Sequence, residues 1–243
     1  PQIGIFEKDL CEYFGASYCA VVSNGTAALH LAALALGWKK DDLILTSPLS
    51  FVATANCVLY AGANVDFVDI SLDTYQIDID VLKVKLKKLE SDGKSIKALI
   101  AVDYAGNPSQ WVELRKLANF YGFKLINDNC HAMGAKYFDN KKYAVEYADI
   151  VTQSYHPVKN ITTGEGGAVL TNDASIHQKI CDLRTHGIIK DTSRMSIKDE
   201  PWFYEMQDLG FNYRITEMQC ALGISQLKKL DSFTQKRNHI AQY

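Results

Sequence analysis

No stretch of this 243-residue chain is long and apolar enough to span a bilayer. The longest candidate, Ala27 to Trp38, is interrupted by His30 and Gly37 and falls short of the ~20 residues a spanning helix needs. An excess of positive charge is missing as well. Lys and Arg number 26 against 28 Asp and Glu, a net charge of -2, so no basic field exists to hold a phosphodiester backbone. Neither nucleic acid nor a membrane is therefore expected as a partner. The six cysteines, at 11, 19, 57, 130, 181 and 220, form no CxxC pair and no dense framework. That usage suits a reduced cytoplasmic compartment and mostly buried, apolar thiols. Repeats and low-complexity tracts are absent, and a composition of 47% hydrophobic and 22% charged residues excludes global disorder. Nothing at the N-terminus resembles a signal peptide. The chain opens on Pro1, and helical rhythm from Gln226 continues to Tyr243 without a Gly or Pro stop, so it is expected to be cut at both ends.

What is present is an alternation of short apolar runs with longer segments of helical period, which predicts an α/β fold with a mostly parallel sheet flanked by helices. Strands are expected at Cys19–Ser23, Leu43–Thr46, Asn64–Val68, Ala98–Val102, Lys124–Asn127, Asp149–Gln153 and Gly167–Thr171. Helices are expected at Gly4–Phe14, Thr26–Leu36, Val52–Ala61, Ile79–Leu89, Ser109–Tyr121 and Ser175–Thr185. A long helix should open at Thr216 and run through Leu227 and beyond. The whole of 1–243 reads as one large domain. The lysine-rich Lys83–Lys94 is expected to be a solvated helix face. The polar segment Lys190–Leu209, with Trp202, Phe203 and Tyr204 in a row, is either a lid or contact with a second chain, or a cover for the core.

Three predicted strand ends carry chemistry, and in an open α/β sheet ligands sit beyond the carboxyl ends of the strands. The first is Ser23-Asn24-Gly25-Thr26-Ala27, where a strand turns through glycine into an apolar helix. Free N–H groups and the helix dipole make this an anion site. Without GxxxxGK or GxGxxG it suits a single phosphate better than a nucleoside triphosphate or dinucleotide. The second is Asp128 followed by His131; a carboxylate there is costly to desolvate without a cation or hydrogen bonds. The third is Ser154-Tyr155-His156-Pro157-Val158-Lys159, followed by a glycine-rich turn through Gly167. A lysine at the sheet rim can act as an amine nucleophile toward a carbonyl. Taken singly, each has a plainer reading: a capped tight turn, a capping Asp beside a core histidine, a surface lysine. Together they are the three groups that pyridoxal 5′-phosphate requires: a phosphate cradle, a carboxylate for the pyridine nitrogen and an imine-forming lysine.

The stretches VSNGTAALHLA, SPLSFVATANCVLYAGANVDFVDI, DTYQID, INDNCHAMGA, SYHPVKNITTGEGGAVLTN, LRTHGI and GFNYRITEMQCALGISQLKKLD resemble the DegT-type sugar aminotransferases, pyridoxal-phosphate enzymes of the aspartate-aminotransferase fold (fold type I). The resemblance implies that Lys159 carries the cofactor, that Asp128 pairs with its pyridinium nitrogen and that His131 lies against its ring. It further implies that Gly25, Thr26, Ala27 and Ser154 form the phosphate site, that Phe51 stacks on the ring, and that Asn212 reaches the cofactor of a neighbouring subunit in a homodimer. Within the family, HPVKNITTGEGGAV and PWFYEMQDLGFNYRITEMQCALGISQLKKLD point to members of pseudaminic acid synthesis. Their substrates are a UDP-linked 4-keto-6-deoxy sugar, aminated at C4, and glutamate, which leaves as 2-oxoglutarate. Asn127 stands where relatives often have Glu, and Cys130 where Ala or Ser is common. The family's small C-terminal domain is expected to be absent from this chain. Two other readings remain open on the residues: a sugar dehydratase, whose members replace the lysine with histidine, and a catalytically silent binding protein.

Overall fold

The computed structural model describes residues 1–197, 200 and 202–243. Seven segments rich in branched residues form one sheet: β1 (Tyr18–Val22), β2 (Leu43–Thr46), β3 (Asn64–Phe67), β4 (Ala98–Val102), β5 (Lys124–Asp128), β6 (Ile150–Ser154) and β7 (Gly167–Thr171). Their spatial order is β1-β7-β6-β5-β4-β2-β3. β7 runs antiparallel to both β1 and β6, while the remaining pairs are parallel. The carboxyl ends of β1, β2, β4, β5 and β6 therefore emerge at one rim, where β7 begins.

Both faces are covered, as the continuous apolar runs of the strands require. On one side α1 (Gln2–Phe14), α4 (Ile79–Ser91), α5 (Trp111–Tyr121), α6 (Tyr143–Tyr147) and α8 (Glu217–Leu227) bury residues such as Phe6, Leu82, Trp111, Tyr143 and Cys220 against Val21, Leu99, Leu125 and Val151. On the other side α2 (Gly25–Ala35), α3 (Val52–Tyr60) and α7 (Ala174–Leu183) bury Leu31, Val58 and Ile180 against Val22, Ile100, Ile126 and Val169. Side chains alternate along a strand, so Asn127 faces the α5 layer while its neighbour Asp128 faces the α3 layer.

Every expected strand is present to within one residue at either end. Helix α5 begins at Trp111, two residues later than expected, because the Ser109 N–H is taken by the Asp103 carboxylate at 2.8 Å. The expected long C-terminal helix is two helices, α8 and α9 (Leu230–Gln242). At their junction the Lys229 N–H bonds the Gln226 carbonyl at 2.9 Å, a tighter turn that aims Leu230 into the core, where it is fully buried. The short α6, the 3₁₀ turn Tyr104–Gly106 and the two-residue strands β8 (Ile188–Ile189) and β9 (Glu205–Met206) lacked any periodic signal. In the 190–209 segment Lys198, Asp199 and Pro201 lie outside the described residues; Trp202 is 73% exposed and Tyr204 is also exposed, so these two aromatics do not cover the core. On α4, Leu82 and Leu86 are buried and Val84 is exposed, leaving the lysines on a solvated face. No helix among the described residues is long and apolar enough to cross a membrane.

Candidate active site

At the rim of the sheet lies a cavity of about 740 Å³ lined by, among others, Gly25, Thr26, Phe51, Asp128, Ser154 and Lys159. Each wall follows from local sequence. Asn24 caps α2 in an extended conformation, its side chain accepting from the Ala27 N–H at 2.7 Å. The N–H groups of Gly25 and Thr26 open the helix without an intrahelical acceptor and are left to the cavity. Ala27 lines the same wall, but its N–H is used by the cap. Glycine at 25 is a packing requirement: a Cβ there would stand 2.8 Å from Ser154 Cβ and 3.2 Å from Ser154 Oγ. The close approach sets the Ser154 hydroxyl beside the positive end of α2, which adds the Thr26 hydroxyl. That is the donor set of a phosphate cradle.

Asp128 is the last residue of β5 and 4% exposed. Among the described residues the cost of burying it is met by hydrogen bonds rather than by an ion pair. Thr54 Oγ1 donates to Oδ2 at 2.7 Å and the Cys130 N–H to Oδ1 at 3.3 Å, with Ser50 Oγ donating in turn to Thr54 Oγ1 at 2.6 Å. Thr54 was invisible to motif reading; its only signal is a hydroxyl on the buried side of the apolar helix α3. Burial and the Asp128 carboxylate both push the Cys130 thiol well above its ordinary range, so Cys130 stays a neutral neighbour of that carboxylate.

His131 is held from outside the cavity. The Ala105 N–H donates to its Nδ1 at 3.4 Å, and Tyr104 meets the ring edge-on at 5.7 Å. Burial, then the nearby Lys159 ammonium, lower its pKa against an opposing pull from Asp128. The ring is therefore a flat, neutral wall.

Lys159 sits in a loop whose ends are pinned. Tyr155 is fully buried against Phe6 of α1. Its N–H bonds Gly166 O at 2.8 Å, and its carbonyl accepts from the Thr163 N–H and Thr162 Oγ1, both at 3.0 Å. Gln219 of α8 donates to Glu165 O at 2.9 Å, and Arg237 of α9 to Asn160 O at 3.2 Å. The lysine is thus carried by a braced loop rather than a free one. Phe51, the N-cap of α3, is 65% exposed and lines the same cavity. Asn212 is the one residue singled out from the sequence that does not line it; it is exposed and bridges to Thr185, while its neighbour Tyr213 does line it, with its hydroxyl 3.1 Å from His30 Nδ1. The residues present fit a phosphorylated aromatic aldehyde: a cradle without a basic side chain, a buried carboxylate with one side turned to the cavity, an amine, and a ring-sized slot.

A mostly parallel sheet with lysine, carboxylate and helix N-terminus at one rim defines a fold and site of the aminotransferase class. Over residues 1–243 the chain matches the model of the DegT/DnrJ/EryC1/StrS aminotransferase family and belongs to that family. It is 44% identical, over 242 residues, to the UDP-4-amino-4,6-dideoxy-N-acetyl-beta-L-altrosamine transaminase of Campylobacter jejuni subsp. jejuni serotype O:23/36 (strain 81-176), covering 100% of this chain and 60% of that protein. Among solved structures it is similar to Helicobacter pylori PseC, an aminotransferase involved in the biosynthesis of pseudoaminic acid (TM-score 0.86, 34% identity, 100% of this chain and 61% of that one). It is similar also to NtdA from Bacillus subtilis with bound cofactor PMP (TM-score 0.80, 30% identity, 95% and 48%). The chain spans about 60% of the length of the curated relatives it matches.

Proposed function

We propose that this chain is the cofactor-binding part of a pyridoxal-phosphate-dependent sugar aminotransferase. The observation that carries the reading is the convergence of Lys159, Asp128 and the Gly25–Thr26 helix start on one cavity. Bound there, pyridoxal phosphate supplies an aldehyde for an amine and a protonated ring that accepts an electron pair. The chain's residues do the rest. Gly25 and Thr26, with the Ser154 hydroxyl, hold the phosphate, and Ala27 closes that wall. Asp128, kept in place by Thr54, would pair with the pyridine nitrogen and hold a proton on it. Phe51 and His131, which both line the cavity, would pack against the ring. The Lys159 amine is the group that would condense with the aldehyde, with loss of water, and when free it would serve as general base and then general acid for the proton on the substrate carbon bearing the amino group.

A UDP-linked 4-keto-6-deoxy-N-acetyl hexose as acceptor, aminated at C4, is supported by the names of the Campylobacter and Helicobacter relatives; glutamate as amino donor, with 2-oxoglutarate as its product, rests on the family resemblance of the sequence. A homodimer in which Asn212 reaches the partner's phosphate site is supported by its exposed place outside its own cavity.

The test is spectroscopic. Pyridoxal phosphate added to the chain should give an absorbance band that shifts when glutamate follows, and Lys159→Ala should lose the band and all turnover. A wild-type chain that takes up no cofactor, or a fully active Lys159→Ala chain, ends this reading. A panel of nucleotide-linked keto sugars, scored for glutamate-dependent amination, then decides the acceptor.

A further inference from the structure

Behind the sheet, on the face away from the cavity, lies a carboxylate that the proposed chemistry does not use. Asp103 follows β4 and is 0% exposed. Oδ1 accepts from the Ser109 N–H at 2.8 Å and Trp111 Nε1 at 3.0 Å, and Oδ2 accepts from Asn127 Nδ2 at 3.1 Å, Asn129 Nδ2 at 3.0 Å and Tyr143 Oη at 2.7 Å. Burial pushes its pKa up, and these donors oppose the shift. Two features show for which form the network is built. The Ser109 N–H and Trp111 indole are donors that cannot reverse, and with Tyr143 Oη and both amides also donating, the network as it stands is set for the carboxylate form. Asn127 also turns its Nδ2 to Asp103 although this leaves its own buried Oδ1 without a donor, an orientation that the charge-assisted bond to an anionic Asp103 favours.

Two of the partners of Asp103 adjoin a residue that lines the cavity. Asn127 and Asn129 are the two residues that flank Asp128, so one carboxylate fixes the chain immediately before and after the other. The main chain supplies a second limb. The Asp103 N–H bonds Asp128 O at 3.2 Å, and the Ser109 N–H closes the 103–109 segment onto the Asp103 side chain. Within that segment Ala105 takes the left-handed conformation at φ 54°, unfavourable for a residue with a Cβ. It does so with its N–H aimed at His131 Nδ1. Gly106 lies against the same residue, where a Cβ would stand 3.1 Å from His131 O. Buried Gln76 braces the turn from outside, its Nε2 donating to Tyr104 O at 3.2 Å and its Oε1 accepting from the Tyr104 N–H at 3.3 Å.

We infer that Asp103 is a positioning residue for the cofactor site: through Asn127 and Asn129 it sets Asp128, and through the Tyr104–Gly106 turn it sets His131 and fixes that ring as the tautomer with its proton on Nε2. Its bearing on cofactor binding rests on the function proposed above; its hold on the His131 tautomer does not.

The experiment compares the wild-type chain with Asp103→Asn. The fold tolerates this change, because Asn127 can reverse its amide and offer Oδ1 to the new N–H group. The anion that held both flanking amides is nevertheless gone. Thermal melting reports folding, absorbance titration with pyridoxal phosphate gives its dissociation constant, and the ¹⁵N shifts of the His131 ring in the cofactor-free chain give the tautomer. We expect the dissociation constant to rise about tenfold, in line with loss of a buried charge-assisted network, and His131 to pass from one tautomer to a mixture. Should Asp103→Asn not fold, Asn129→Ala removes one limb alone. It is expected to weaken pyridoxal phosphate binding while leaving the His131 tautomer unchanged. A folded Asp103→Asn chain with the wild-type dissociation constant and tautomer overturns the inference, as does wild-type binding by Asn129→Ala. A wild-type chain that binds no pyridoxal phosphate removes the functional reading instead, and the His131 shifts still decide whether Asp103 governs that ring.

Discussion

Two buried carboxylates end neighbouring strands of the same sheet and are treated in opposite ways. Asp103, turned to the α5 layer, receives five donors and has no room for another partner. Asp128, turned to the α3 layer, receives one hydroxyl and one backbone N–H and keeps a side open to the cavity. A saturated carboxylate contributes order; an unsaturated one keeps binding capacity for a ligand, and the fold carries its desolvation cost until that ligand arrives. The sheet separates the two by a single residue of alternation, so the scaffold that orders the site never competes with it for space.

The contrast is broken most directly by truncation. Asp103→Ala orphans several buried donors at once and should lower the unfolding free energy by more than about 3 kcal/mol. Asp128→Asn keeps an acceptor for Thr54 and should change it by less than about 1 kcal/mol, while abolishing the turnover proposed above. Urea unfolding of the two variants checks this, and equal losses of stability would erase the distinction between them. A smaller effect is expected at the cradle. Gly25→Ala forces a Cβ to 2.8 Å from Ser154 Cβ, an overpacking worth about 1–3 kcal/mol. Because α2 must move away from Ser154, pyridoxal phosphate affinity should fall as well; unchanged affinity would mean that the close approach is not part of the cradle.

The smallest expected effect concerns pH. Burial and Lys159 hold the His131 pKa below its ordinary 6.5, so between that lowered value and 6.5 the unfolded chain binds more protons than the folded one. Stability should therefore be indifferent to His131 above that window and decline as pH falls through it. The slope stays under the roughly 1.4 kcal/mol per pH unit that one proton allows. Unfolding free energies of wild type and His131→Asn, measured from pH 7.5 to 5, isolate the term: the variant should lose less stability on acidification.

Much of this was legible in the residues. The strands are short branched runs, and period alone located them. The cavity residues Asp128 and Ser154 end a strand and Gly25, Thr26 and Lys159 follow one, where an open α/β sheet gathers its ligand groups. What escaped notice has a common physical character. Asp103 and Asn129 look like ordinary polar residues near a turn, and Asn127 stands out only as a departure from its relatives, because their role lies in which side chain meets which across β4, β5 and α5. Thr54 looks like one more small residue in an apolar helix. Helix α6 is too short to display a period, and the break between α8 and α9 comes from burying Leu230, with no Gly or Pro to mark it.

Local pattern by itself determined the order of elements and the covered parallel sheet, and residue chemistry singled out the lysine, carboxylate and helix start as candidates, since these depend on side-chain period and on groups adjacent in sequence. Only tertiary structure decided that Asp103 would be filled and Asp128 left open. That outcome depends on donors brought from residues up to 74 positions away, as Thr54 is from Asp128, and on the face to which each side chain turns, a matter of packing that composition and spacing do not encode.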